Sequence, residues 1–202
     1  MNNTFVLASN NAHKLREFKE IFALLGFEVL SLKEAGVEVD PDENGTTFAE
    51  NAMIKARAVY DLCKLPTVAD DSGLCVDALN GEPGVYSARY GNRPDDATRR
   101  QYLFERLEEV AAKDRNAHFT SAIACVMDDD TSFTVEGYCY GKIALAESGE
   151  NGFGYDCMFC PDEYEGKTFA EISAEEKNLI SHRGRALEKF TEKIKEMQGE
   201  KQ

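Results

Sequence analysis

Apolar positions change period several times along the chain, and each change marks an element. Residues 4–8 form a short apolar run suited to a buried strand, and the polar turn Ser9-Asn10-Asn11-Ala12-His13-Lys14 follows it. The period then becomes helical: Leu15, Phe18, Ile21, Phe22 and Leu25 share one face, and Gly26 supplies a stop. Residues 27–32 read as a second strand and the acidic stretch 38–45 as a loop. Thr47-x-x-Glu50 has the form of a capping box and predicts a helix to about Cys63, with Pro66 closing the unit. Residues 67–69 and 74–76 read as two short strand pieces flanking Asp70-Asp71-Ser72-Gly73, where Gly73 permits a turn. A Gly- and Pro-rich loop is predicted over 79–94 and a helix over 95–112. The β-rich runs 117–127 and 132–142 meet at Asp128-Asp129-Asp130 as a hairpin, and 147–156 is again Gly-rich. One final helical stretch is predicted over 173–197, opened by the capping box Ser173-x-x-Glu176. Mixing βα units with a hairpin predicts an α/β or α+β class with a mixed sheet, α/β being preferred. The preferred architecture is a single domain over 1–202, an elongated body with two lobes and a central cleft.

Composition narrows the functional classes. Lys plus Arg total 23 against 37 Asp plus Glu, a net charge of −14, which disfavours non-specific binding to nucleic acid or to an anionic membrane. A polyanionic partner therefore needs local cations or a metal. No apolar stretch approaches a membrane span, and residues 1–9 carry no basic-then-apolar targeting pattern, so a cytoplasmic location is expected. The six cysteines are too sparse for a disulfide scaffold. Cys157 and Cys160 do form a C-x-x-C, but a zinc site usually wants a second pair and Pro161 follows where a redox motif would open a helix. Packing thiols are the simpler reading.

Three regions carry candidate chemistry. At the first strand-turn-helix, Ser9, Asn11, helix-start N–H groups and Lys14 suit an anion, although the glycines and the Lys-Ser/Thr pair of a Walker loop are missing. Taken alone, this is an N-cap turn with a solvated lysine. Asp42 with Glu43, and Asp70-Asp71-Ser72 between apolar runs, form two acidic clusters. Adjacent carboxylates in apolar surroundings are costly without ionic partners, and Mg²⁺ typically takes one or two carboxylates plus substrate phosphates. Farther on, Gly152-Phe153-Gly154-Tyr155-Asp156 sets two aromatics and a carboxylate on a flexible loop, suited to stacking a base and hydrogen bonding its edge or ribose. Lys177, Ser181, His182 and Arg183 fall on the last helical stretch, where Gly184 suggests a break or a close approach.

These motifs occur in the order seen in one family. Ser9-x-Asn11-x-x-Lys14, Thr47-Phe48-x-Glu50-Asn51-Ala52-x-x-Lys55-Ala56, Ala69-Asp70-Asp71-Ser72-Gly73-Leu74, Pro83-Gly84-Val85-Tyr86-Ser87-Ala88-Arg89-Tyr90, Gly152-Phe153-Gly154-Tyr155-Asp156 and Ser181-His182-Arg183-Gly184 all lie between residues 4 and 190. In them the chain resembles the Ham1-like inosine triphosphate pyrophosphatases. The resemblance implies an elongated mixed α/β fold with a central cleft, a homodimer, and Mg²⁺-dependent cleavage of ITP, dITP and XTP to monophosphate and pyrophosphate. It further implies that Ser9, Asn10, Asn11, Ala12, His13, Lys14 and Lys55 hold phosphates, with Ser72 on the substrate. Asp71 would be the catalytic acidic residue near Mg²⁺. Phe153, Gly154, Tyr155, Asp156, Lys177, His182 and Arg183 would bind the nucleoside. The second acidic metal position falls on Asp42, favoured by spacing, or on Glu43. Asn10 and His13 stand where many relatives carry Gly, and Cys157 stands where Pro commonly follows the Gly-Tyr-Asp segment.

Elementary chemistry agrees with that assignment. Hydrolysis at the α-phosphorus needs an oriented water, neutralised phosphate charge and a stabilised leaving pyrophosphate. Lys14, Lys55 and Mg²⁺ would supply the positive charge, while Asp71 would orient or deprotonate the water or hold the metal. Two other readings of the same features are a Maf-like nucleotide pyrophosphatase with pyrimidine or modified-nucleotide preference, and a non-catalytic nucleotide sensor.

Overall fold

A computed structural model describes residues 3–199. In chain order the elements are β1 (Thr4–Leu7), α1 (Ala12–Leu24), β2 (Glu28–Leu30), α2 (Phe48–Cys63), β3 (Thr67–Val76), α3 (Asp96–Arg106), β4 (Asn116–Val126), β5 (Ser132–Ile143), β6 (Phe159–Pro161), α4 (Ala174–Ile180) and α5 (His182–Gly199). The strands form one sheet in the order β2-β1-β3-β4-β5-β6. β1 pairs in parallel with β2, Phe5 opposite Val29, and with β3, Val6 opposite Thr67. β5 and β6 pair antiparallel, Lys142 opposite Cys160, so the sheet is mixed as expected. β1 is flanked on both edges, and Phe5, Val6 and Leu7 are wholly buried, which is why its sequence is a continuous apolar run.

The chain divides into two compact units. One gathers the described residues up to Asp71, Ala122–Glu136 and those from Ala186 on; the other is Ser72–Ser121 with Gly137–Arg185. Each has its own core. In the first, Phe5, Leu7 and Val68 pack with Phe18 and Phe22 of α1 and with Leu187, Phe190 and Ile194 of α5. In the second, Leu74, Val76, Leu103, Leu107, Phe119, Ile143, Met158, Phe159 and Phe169 pack together.

Several boundaries differ from the sequence reading, each for a tertiary reason. The predicted pair of strand pieces with a turn at Gly73 is instead one ten-residue strand, β3. Its two carboxylates do not interrupt the ladder, because each has a lysine to meet. The helix predicted over 95–112 stops at Arg106. Buried Arg115 occupies the carbonyls beyond the stop, its guanidinium donating to Leu107 (2.8 Å), whose carbonyl a longer helix would have used itself, and to Val110 (3.0 Å). The loop over 79–94 takes 3₁₀ turns at Asp77–Leu79 and Gly84–Asn92. The second strand is shorter than 27–32.

The helical stretch predicted over 173–197 is two helices, broken at Ser181, three residues before the Gly184 that suggested a break. Ser181 turns extended (ψ 154°) between α4 and α5, and its Oγ accepts the Gly184 N–H at 3.0 Å. Gly184 is required by the close approach its sequence context suggested: a Cβ there would lie 2.0 Å from the Asn178 carbonyl oxygen.

Candidate active site

In the first unit, β1 delivers the chain into the N-terminus of α1. Asn11 caps that helix, its Oδ1 accepting from the N–H groups of His13 (2.9 Å) and Lys14 (3.2 Å), while Ser9 Oγ accepts from Asn11 N–H (3.1 Å). The first turn of α1 carries no acidic residue, unlike those of α2, α3 and α4, so its positive end is not offset by a carboxylate of its own. Asn10, Asn11, Ala12 and His13 are exposed there. Asn10 also borders an open depression of about 810 Å³ with Leu32, Lys33 and residues 36–40.

β3 supplies the carboxylates. Successive strand side chains point to opposite faces, so neighbours Asp70 and Asp71 meet different helices. Asp70 binds Lys14 of α1 at 2.8 Å through its carboxylate, and its carbonyl accepts from the same ammonium at 3.2 Å. Asp71 binds Lys55 of α2, Oδ1 to Nζ 2.8 Å, and Lys55 also reaches Glu43 at 3.4 Å. Each ammonium has three donors, so each retains one beyond these contacts. Three carboxylates thus meet two ammonium groups.

Asp71 Oδ2 is buried and has no hydrogen-bond partner among the described residues. Burial holds the Asp71 carboxyl above the ordinary carboxylate value; Lys55 pulls against that shift and Glu43 adds to it. An orphaned carboxylate oxygen beside a second carboxylate is an all-oxygen, hard donor set that fits Mg²⁺. Among the described residues no group of three or more His, Cys, Asp or Glu side chains gathers as a metal site. Of the two acidic loop residues, Asp42 is exposed, and Glu43 is the one brought to Lys55. Asn51, one helical turn before Lys55, is fully buried and accepts the Gly45 N–H at 2.8 Å, tying the Glu43 loop to α2.

A second cluster lies in the other unit. Lys177 Nζ binds Asp156 at 2.7 Å and stands 5.2 Å from the Phe153 ring centroid and 5.4 Å from that of Phe169. The same Asp156 oxygen accepts the Phe153 N–H at 2.8 Å. Gly152 is required there: it has φ +79°, and a Cβ would fall 2.1 Å from Asp156 Oδ2. Phe153 is 38% exposed, whereas Tyr155 is 6% exposed, lies in the core and donates its hydroxyl to Ser87 O at 2.9 Å. Of the two aromatics expected to stack a base, the structure presents Phe153 and packs Tyr155. The Asp156 carboxylate is likewise buried, fastening the loop to Lys177.

Arg183 and His182 open α5. Arg183 Nη2 donates to Ser72 Oγ at 3.1 Å, and the His182 ring stacks on Phe119 at 4.7 Å and 14°. Three residues escaped the sequence reading as site candidates: Asn51, Asp96 and Arg100; Asp70, read there within an acidic cluster, meets Lys14. Asp96 Oδ2 accepts the Gly154 N–H (3.2 Å) and Arg100 Nη1 donates to Gly154 O (3.0 Å). Of these only Asn51 had a signal, as a member of a quoted motif; nothing in the helix predicted over 95–112 marked Asp96 or Arg100. Cys157 hydrogen bonds Glu147 at 3.4 Å, and burial pushes its thiol up to about 11.

The site defines an α/β protein with a mixed sheet, a lysine–carboxylate cluster where β3 meets α1 and α2, and a separate aromatic–lysine loop. Comparison with known proteins narrows it: the Ham1 family model matches residues 5–193, and the chain belongs to that family. The dITP/XTP pyrophosphatase of Clostridium perfringens is 48% identical over 198 residues, covering 95% of this chain and 97% of that protein. That of Treponema denticola is 46% identical, covering 94% and 97%. The solved Ham1 protein of Staphylococcus aureus superposes with TM-score 0.88 at 38% identity, covering 96% of this chain and 99% of that one.

Proposed function

We propose that this chain is a Mg²⁺-dependent pyrophosphatase that hydrolyses deaminated purine nucleoside triphosphates, dITP, XTP and ITP, to monophosphate and pyrophosphate. The observation that carries it is Asp71: a buried carboxylate with one oxygen on Lys55, the other unpartnered, and Glu43 close by. The relatives' activity and the family membership support the substrate class.

In this reading the spare donors of Lys14 and Lys55 and the N-terminus of α1, with Ser9 to His13 around it, take phosphate oxygens. Asp71 Oδ2 accepts a proton from the attacking water as its oxygen bonds to the α-phosphorus and the bond to the β-bridging oxygen breaks, releasing pyrophosphate. A carboxyl held above its ordinary value is a better base for that transfer. Glu43, together with substrate phosphate oxygens, would hold Mg²⁺ beside Asp71, and the ion would supply charge neutralisation at the phosphates; Asp42, exposed, is not given that role. Phe153 stacks the base, Lys177 and Asp156 keep the Phe153 loop in place, and Gly154 and Tyr155 shape it. Ser72, His182 and Arg183 present donors toward the carbonyl at position six, which inosine and xanthine have and adenine replaces with an amino donor. In the same reading the protein is a homodimeric, cytoplasmic pyrophosphatase acting on small-molecule nucleotides, with no nucleic-acid or membrane partner.

The test is a panel of ITP, XTP, dITP, ATP, GTP, dTTP and UTP with Mg²⁺, with products separated. Pyrophosphate and monophosphate from the first three are expected. Orthophosphate release, or preference for pyrimidines as in a Maf-like enzyme, rejects the reading. Asp71→Asn should bind nucleotide yet turn over roughly 10²-fold or more slowly; full turnover would discard the mechanism.

A further inference from the structure

The Phe153 loop is held from two directions, and only one of them belongs to the residues assigned to the nucleoside. Asp156 and Lys177 hold it at the Phe153 N–H. From the other direction α3 reaches the next residue, with Asp96 and Arg100 one turn apart on a single helix face. Asp96 Oδ2 accepts the Gly154 N–H and Arg100 Nη1 donates to the Gly154 carbonyl, so the peptide groups before and after Gly154 are both occupied. Gly154 sits at φ +62°, a conformation with no steric reason to persist in a free loop beyond the absence of a side chain; no atom lies within 4 Å of where its Cβ would be.

We propose that Asp96 and Arg100 are positioning residues for nucleoside recognition, fixing Phe153 by clamping both peptide groups of Gly154. The clamp is itself braced. Arg100 Nε donates to Glu147 Oε1 at 2.9 Å, and Arg99 binds the other oxygen of Asp96. Partly exposed ion pairs of this kind contribute little to stability, and Glu147 is 41% exposed at its side chain. Their convergence on one glycine instead sets geometry: with Gly154 clamped, the ring of the residue before it is held beside Lys177. Asp96 and Arg100 touch no part of the base in this arrangement; they act through the loop. The inference rests on the proposed function, since it presumes that Phe153 receives the base.

The test separates the two halves of the nucleotide. Calorimetric titration with inosine 5′-monophosphate and, separately, with inorganic pyrophosphate is run on wild type, Arg100→Ala, Arg100→Lys, Asp96→Ala and Asp96→Asn. Arg100→Ala is expected to weaken IMP binding roughly 10-fold and leave pyrophosphate within about twofold, with KM for ITP rising more than kcat falls. Arg100→Lys should not rescue, because a single ammonium cannot reproduce the Nε and Nη1 contacts together. Asp96→Asn should rescue what Asp96→Ala loses, because its amide oxygen can still accept the Gly154 N–H. Glu147→Gln, which leaves Arg100 in place but loosens it, should move IMP binding the same way by less, and carries the test if Arg100→Ala does not fold. IMP binding unchanged in Arg100→Ala, or IMP and pyrophosphate weakened equally, overturns the clamp. Wild-type protein that binds pyrophosphate but no IMP overturns the substrate reading, and the clamp with it.

Discussion

Gly45→Ala tests whether the loop before α2 is part of the catalytic geometry. Gly45 does not have a positive φ, so alanine meets no backbone strain; the obstacle is contact. An added Cβ would stand 2.6 Å from Asn51 Oδ1 and 2.7 Å from Glu50 Cβ, and the loop has to retreat by roughly 0.8 Å, the shortfall from an ordinary 3.4 Å contact. That retreat breaks the 2.8 Å bond from Gly45 N–H to Asn51 Oδ1. Asn51 is fully buried and its Nδ2 has no hydrogen-bond partner among the described residues, so the variant leaves both ends of one amide unsatisfied. Stranding a buried acceptor costs about 1–3 kcal/mol, and a chain of this size loses about 2–4 °C of Tm per kcal/mol. A fall of roughly 2–12 °C is expected in a thermal melt. Glu43 lies two residues upstream, so the displacement is passed to the carboxylate that meets Lys55. A misplacement near 1 Å costs up to about 10²-fold, and kcat/KM for ITP should fall roughly 10- to 100-fold, with a higher Mg²⁺ concentration needed for half-maximal rate. Gly166→Ala is the control: at φ +76° with nothing within 4 Å of its Cβ, it strains the backbone by about 1–2 kcal/mol without touching the cluster. A melted-down Gly45→Ala with wild-type kcat/KM and Mg²⁺ response would refute the argument.

The acid limb of the kcat/KM profile should follow Asp71, whose carboxyl is held above its ordinary value and must be ionised to accept a proton, so activity falls as pH drops through it. Lys55→Met removes the cation that opposes the shift and should move that limb to higher pH, while Glu43→Gln removes a like charge and should move it lower; movement in one common direction would contradict the cluster. Tyr155→Phe leaves the Ser87 carbonyl without its 2.9 Å donor and should cost about 1–3 kcal/mol in denaturant unfolding while the ITP to ATP preference stays at its wild-type value. A changed preference would mean that Tyr155 does reach the base. Arg183→Ala should lower kcat/KM for ITP far more than for ATP, narrowing their ratio up to about 100-fold; equal losses would place Arg183 on the phosphates or in the scaffold.

Features that close within a few residues were legible in the local pattern. The period of Leu15, Phe18 and Phe22, the Thr47–Glu50 capping box and the turn between β4 and β5 each need only near neighbours, and each stands where the pattern put it. Asn11, read as part of an anion loop, caps α1 by the same local logic. Tertiary structure decided everything that depends on a partner far along the chain. Asp70 and Asp71 are adjacent in sequence, yet strand alternation sends one to Lys14 and the other to Lys55, 56 and 16 residues away. The same distant pairing chose Glu43 over Asp42 for Lys55, let β3 run unbroken through two carboxylates, and buried Tyr155 while presenting Phe153. It brought Asp96 and Arg100 to Gly154 across 58 and 54 residues. A side chain's period and cap are set by steric and hydrogen-bonding rules over one helical turn, whereas its ionic partner is set by which faces the folded sheet presents, and no local pattern records that.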